Sequence, residues 1–176
     1  MVDTPAPVSA DAADALIETN LDALQRSRGI TLRLVEDMTP EQLLTRACDG
    51  GNHALWTLGH LASADAMVAS VFGATDPGAP ERYHTLFGMG SEPTDDASDY
   101  PSIEDVRSVL TSVHERMVSA VRAATPELLS APMPEGFDAF APSRAVLLAM
   151  MAMHEGMHIG QLTVIRRSLG LPRVMG

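Results

Sequence analysis

Only one cysteine, Cys48, occurs in the 176 residues, so no internal disulfide can form and nothing calls for an oxidising compartment. No apolar run in the chain approaches the ~20 residues that a membrane-spanning helix needs, so no membrane association is expected. The opening MVDTPAPVSADAADALIETN lacks a basic segment followed by an apolar one, so no signal peptide is expected and a cytoplasmic location is. No basic stripe offsets a formal net charge of −11. So acidic a protein repels a phosphate backbone, and nucleic acid is excluded as the expected partner. Runs of alternating β-branched residues are missing as well, which leaves no need for a sheet.

What remains is an ordinary globular composition, 45% hydrophobic and 20% charged, in a chain long enough to bury a core without disulfides. One domain spanning residues 1–176 is the economical reading. Four stretches carry a helical period, at about 12–35, 53–72, 102–124 and 143–169. The first has Ala13, Leu16, Leu21, Leu24, Ile30, Leu32 and Leu34 as its apolar residues and is the least regular. Along the second, Trp56, His60, Ala64, Met67 and Val71 share a face. The third follows Ser102, an N-cap with Asp105 three residues on, and presents Ile103, Val106, Leu110, Val113, Met117 and Val121. The fourth has Leu147, Met150, Met151, His154, His158, Leu162 and Ile165 on one face, and Gly170 and Pro172 stop it. The expected fold is all-α, a four-helix bundle.

The connections are informative. TPEQLL at 39–44 and TPELL at 125–129 each predict a Thr-capped short helix with proline at its first position. Residues 73–101 have no period, and so long a connection can carry the chain from one end of a bundle to the other. The second and third helices then need not be antiparallel. Tyr83 and Phe87 are expected to tack this segment to the bundle, with His84 solvated.

His154 and His158 are four apart on a helix, which puts both imidazoles on one face within reach of one ion. In a stripe otherwise apolar, each is costly unless it finds a partner. Core histidines bonded to backbone or water are one answer. His60 occupies an apolar position in the second helix, so three histidines in buried stripes need a common explanation. A single divalent cation held by three neutral imidazoles, with a fourth position open, supplies it. His53 lies two turns from His60, roughly 10 Å along the axis, too far to share that ion. An end-capping or mouth role is expected for it, and a solvated flank for His114.

His154-Glu155-Gly156-Met157-His158 also fits the H-E-x-x-H pattern of zinc proteases. Those enzymes take a third ligand from downstream, but IGQLTVIRRSLGLPRVMG contains no His, Asp or Glu. The protease reading fails on that missing ligand.

NHALWTLGHLASADAMV, followed much later by MAMHEGMHIGQLTVIRRSLGLP, resembles the DinB-like superfamily, which includes the YfiT-type proteins. The resemblance runs from the first helix to Pro172, and its diagnostic parts are the two histidine-bearing blocks. It implies an up-down-down-up bundle and a divalent metal, zinc or nickel, on His60, His154 and His158. It also implies dimers, and transferase or isomerase chemistry with a low-molecular-weight thiol acting on a small-molecule substrate. A non-catalytic metal-binding module and a metal-dependent hydrolase are the alternatives. Glu155 is not a required feature of that family. It points about 100° around the helix from His154 and is read as a solvated residue, with general base or imidazole-orienting acceptor as its functional roles. Gln161, one turn past His158, is the expected hydrogen-bond partner that orients an imidazole. Arg166 and Arg167 are expected to offset the helix dipole. Cys48 is not needed as a nucleophile.

Overall fold

The computed structural model describes residues 9–174; residues 1–8, part of the stretch that carries the signal-peptide reading, lie outside them. In chain order the helices are α1 (Ala10–Val35), α2 (Pro40–Leu43), α3 (Ala54–Val71), α4 (Arg82–Phe87), α5 (Ile103–Arg122), α6 (Pro126–Ser130) and α7 (Arg144–Ser168), with a 3-10 turn at Ala97–Asp99. Among the described residues there is no strand, only an isolated bridge between Pro132 and Ser143. None of the described helices is long and apolar enough to cross a membrane.

The helix starts follow local chemistry. Ser9, Ser102 and Ser143 each accept a hydrogen bond from a first-turn amide, satisfying a donor that has no partner within the helix. Thr39 and Thr125 cap the two short helices, and Thr39 forms a reciprocal capping box with Gln42. Residues 73–101 are less irregular than their sequence suggests. They contain α4, whose Tyr83 and Phe87 are buried as anchors.

Helix directions can be read from which residues pack together. At one end, Ile17, Leu21 and Leu24 from the start of α1 pack with Val68 and Phe72 from the end of α3, Met117 and Val121 from the end of α5, and Leu147 and Met151 from the start of α7. At the other end, Leu34 and Val35 of α1 meet Leu55 and Leu58 of α3, Val106 and Leu110 of α5, and Leu162 and Ile165 of α7. Helices α1 and α7 therefore run one way while α3 and α5 run the other, an up-down-down-up bundle. Parallel α3 and α5 are what the long 73–101 connection makes feasible.

Between the two apolar clusters lies a polar layer to which all four long helices contribute. Arg28 of α1 donates from Nε and Nη2 to the two carboxylate oxygens of Glu155 on α7, both at 2.9 Å. Its Nη1 donates to Asp65 of α3 at 3.1 Å. The Thr31 hydroxyl adds a 2.6 Å bond to Glu155, and His114 Nδ1 of α5 lies 2.9 Å from Asp65. Arg28, Thr31, Asp65 and Glu155 are all buried.

This layer corrects several sequence expectations. The buried stripe of α1 is Ala13, Ile17, Leu21, Leu24, Arg28, Thr31 and Leu34 with Val35, and Leu32 is exposed. Two polar residues in register with the stripe made the helix look irregular. Glu155 is not solvated but fully buried, because Arg28 and Thr31 satisfy its oxygens. His114 is not a solvated flank either, since its ring is partly buried against Asp65. On α3 the stripe from Trp56 to Val71 is not the core face as a whole: His60, Ala64 and Met67 are only half-buried. Leu58, Leu61, Ala62, Asp65 and Val68 are the deeper residues, because this helix is surrounded on several sides.

Removing one partner of a buried ion pair strands the other charge, which costs about 3–5 kcal/mol. Arg28→Ala is therefore expected to lower the unfolding free energy by about that amount in urea titrations. A loss below about 1 kcal/mol, the range of an exposed pair, would contradict the layer.

Candidate metal centre

The start of α3 positions its histidine in four steps. His53 takes the N-cap place, where Nδ1 accepts from the Trp56 amide at 3.0 Å. Its Nε2 lies 3.0 Å from the Thr94 carbonyl, tying the helix to the long connection. The expected end-capping role is thus seen. One turn on, Trp56 stacks on the His60 ring with 4.7 Å between centroids and 9° between planes, and its indole donates to Ser91. Gly59 completes the arrangement: a Cβ there would come within 2.4 Å of the Phe87 ring. With no side chain in the way, Phe87 packs onto the helix, and its carbonyl sits 2.8 Å from His60 Nδ1.

His60, His154 and His158 come together. His60 Nδ1 donates to the Phe87 carbonyl, and His158 Nδ1 donates to Gln161 Oε1 at 2.9 Å. An oxygen of this kind only accepts, so each Nδ1 carries the proton and each Nε2 presents a lone pair. Those lone pairs converge on His154, whose Nε2 is 3.2 Å from that of His60 and 3.1 Å from that of His158. Three imidazole nitrogens held face to face satisfy one another poorly. One divalent cation satisfies all three, because nitrogens at about 2.0–2.1 Å from a tetrahedral ion lie about 3.3 Å apart. The trio can hold one ion and leave a fourth position open.

The surroundings keep the three rings unprotonated. Burial, helped by the neighbouring rings, pushes His154 down to about 4. Burial likewise brings His158 to about 4 and lowers His60. All three are neutral ligands at ordinary pH. In the adjoining layer, burial alone would lower the Arg28 pKa, yet Asp65 and Glu155 outweigh it and raise it. Burial would raise the Asp65 carboxyl, yet Arg28 and His114 hold it below the usual range. Two carboxylates thus face one guanidinium beside the trio, and both act on the His154 ring.

The other predicted residues fall as follows. Glu155 points away from the trio, its oxygens taken by Arg28 and Thr31. Gln161 makes the expected bond to His158, although its side chain is exposed rather than buried. Arg166 does more than face the helix dipole: it is buried, clamps Asp37 with both Nη atoms and donates to the Leu34 carbonyl at 3.0 Å. His84 is exposed, and Cys48 is an exposed loop residue. Arg28, Thr31 and Asp65 were missed, and His114 was placed on a solvated flank. Asp65 had a visible signal as the only charged residue in Ala54–Val71.

Beside the trio opens a cleft of about 700 Å³, with His60 and His154 in its wall. Helices α3 and α7 form two sides, the 77–89 segment a third, and Phe137 and Phe140 the fourth.

The sequence model of the DinB superfamily matches residues 23–162. Comparison with curated proteins gives no significant match. Among solved structures, YfiT from Bacillus subtilis is similar over 96% of this chain and 93% of its own, with a TM-score of 0.64 and 18% identity. It is described as a probable metal-dependent hydrolase with an unusual four-helix bundle topology, and at this identity the likeness concerns the fold.

Two outcomes follow from the geometry. His53, His154 and His158 sit near 4 in the folded chain against 6.5 for a free imidazole, so between those values the unfolded chain binds more protons. Metal-free stability should be full above about pH 6.5 and fall steadily toward pH 4; urea midpoints that stay flat across that window would contradict the burial of these rings. Gly59→Ala should displace Phe87 and cost about 1–3 kcal/mol, with loss of the His60 Nδ1–H bond visible in nitrogen-detected histidine spectra. An unperturbed His60 would contradict the close packing.

Proposed function

The chain belongs to the DinB superfamily, and from that premise we propose that it is a divalent-metal-dependent enzyme activating a low-molecular-weight thiol for transfer or isomerisation. The observation that carries the metal is the convergence of three Nε2 atoms, two of whose lone pairs are fixed by Nδ1–H bonds to Phe87 and Gln161. Imidazole donors suit zinc or nickel. Such an ion supplies Lewis acidity that lowers the pKa of a thiol presented at the open position. The chain's own residues do the rest. Phe87 and Gln161 hold two rings in one tautomer, Trp56 stacks on the His60 ring, and Arg28 and Thr31 keep Glu155 turned from the ion.

That last point supports thiol chemistry over hydrolysis. In an H-E-x-x-H hydrolase the glutamate serves as general base at the metal, whereas here both its oxygens are bonded on the opposite side. A thiol loses its proton far more readily than water and needs no such base. The description of YfiT as a probable metal-dependent hydrolase favours hydrolysis as the second reading. A small-molecule substrate, a homodimer and a cytoplasmic setting belong to the same proposal.

Protein loaded with zinc or nickel, and the same protein stripped by chelator, should be titrated calorimetrically with small thiols and assayed for thiol consumption with a reactive electrophile. Heat and consumption are expected only with metal present. No heat with any thiol would overturn the reading in favour of a non-catalytic metal-binding module, and cleavage of activated esters without thiol would favour hydrolysis. Gln161→Ala should weaken metal binding about 10–100-fold, because it removes the acceptor that orients the His158 ring.

A further inference from the structure

The walls of the cleft carry information that the trio does not. We infer that the cleft seats an apolar, uncharged small molecule or substrate tail, and not a highly polar thiol with two carboxylates such as glutathione. Only the placing of a reactive head group at the trio rests on the metal reading above.

Size is the first observation. A volume of about 700 Å³ lies within the roughly 300–1,000 Å³ of small-molecule sites and far above what a bare thiol head requires. Chemistry is the second. Six of the chain's eleven methionines line the cleft, Met67, Met150 and Met151 among them, together with Phe137 and Phe140. Methionine side chains are flexible and polarisable and mould to apolar ligands of varied shape.

Charge is the third observation, and it decides the class. No Arg or Lys lines the cleft among the described residues, and the titratable groups besides His60 and His154 are Glu81, Tyr83 and His84. A ligand with two carboxylates would be desolvated against apolar walls, near an acidic side chain, in a protein of net charge −11. The Tyr83 hydroxyl is the one buried wall hydroxyl without a partner among the described residues, a single neutral donor, and the two serine hydroxyls are already engaged. Ser63 donates to the Tyr83 carbonyl and Ser70 to the Ala66 carbonyl. A neutral apolar body meets no such penalty.

The test has a metal-free arm and a metal-loaded arm. Without metal, the neutral dye Nile red should bind one molecule per chain with enhanced emission. Met150→Lys, which sets a cation in the wall, should weaken it at least tenfold while circular dichroism and metal uptake persist. No saturable binding, equal binding to both proteins, or exclusion of the dye from a dimer whose second copy covers the cleft would each overturn the inference. With metal, affinity should rise about fourfold per methylene from ethanethiol toward octanethiol, with glutathione no tighter than ethanethiol. A flat series, or glutathione binding tighter than octanethiol, would overturn it. Nile red binding as expected while the loaded protein takes up no thiol would sink the thiol reading and leave the cleft's preference standing.

Discussion

The bidentate pair between Arg28 and Glu155 sets the rest of the structure. Both groups are buried at mid-bundle, where neither charge is tolerable alone, and their parallel 2.9 Å bonds require α1 and α7 to face each other at one rotation. Glu155 follows His154 in the chain, so turning the carboxylate toward α1 turns the imidazole about 100° away. That direction leads to α3 and His60. The ion pair thereby works as a rotational lock on α7. Asp65 extends the lock to α3, and His114 extends it to α5.

Seen this way, the waist of the bundle is one polar layer with two functions. Its inner part holds four helices in register between two apolar clusters. Its outer part, at the cleft, gathers the histidines. The two carboxylates of the inner part act on the His154 ring, although burial and the neighbouring rings outweigh them there. Stability and ligand geometry are therefore coupled, and a substitution in the layer is felt at the trio without touching it.

Much of this was legible in the chain itself. Ser102 with Asp105, the two Thr-Pro turns and the stripe of α5 mark helix limits through local rules of capping and periodicity, and the structure follows them. The two histidine blocks were readable because polar residues in apolar stripes demand partners. The same logic applied to Arg28, Thr31 and Asp65, yet a charge within a stripe looks like an interruption when its partners lie on other helices. Glu155 was misread because its position beside a histidine pair suggested either solvent or catalysis, and only the placing of Arg28, 127 positions away, shows otherwise. A cleft roofed by the 73–101 connection was expected, and residues 77–89 do wall it, but Phe137 and Phe140 could not be foreseen, since they reach it from a segment without periodicity.

The central claim is that the waist turns three imidazoles onto one cation. X-ray absorption at the metal edge of zinc- or nickel-loaded protein tests it most directly. Imidazole scattering should fit three nitrogens at about 2.0–2.1 Å, falling to two in His60→Ala. A bound ion whose spectrum shows only oxygen or sulfur ligands, or is unchanged by His60→Ala, would contradict it.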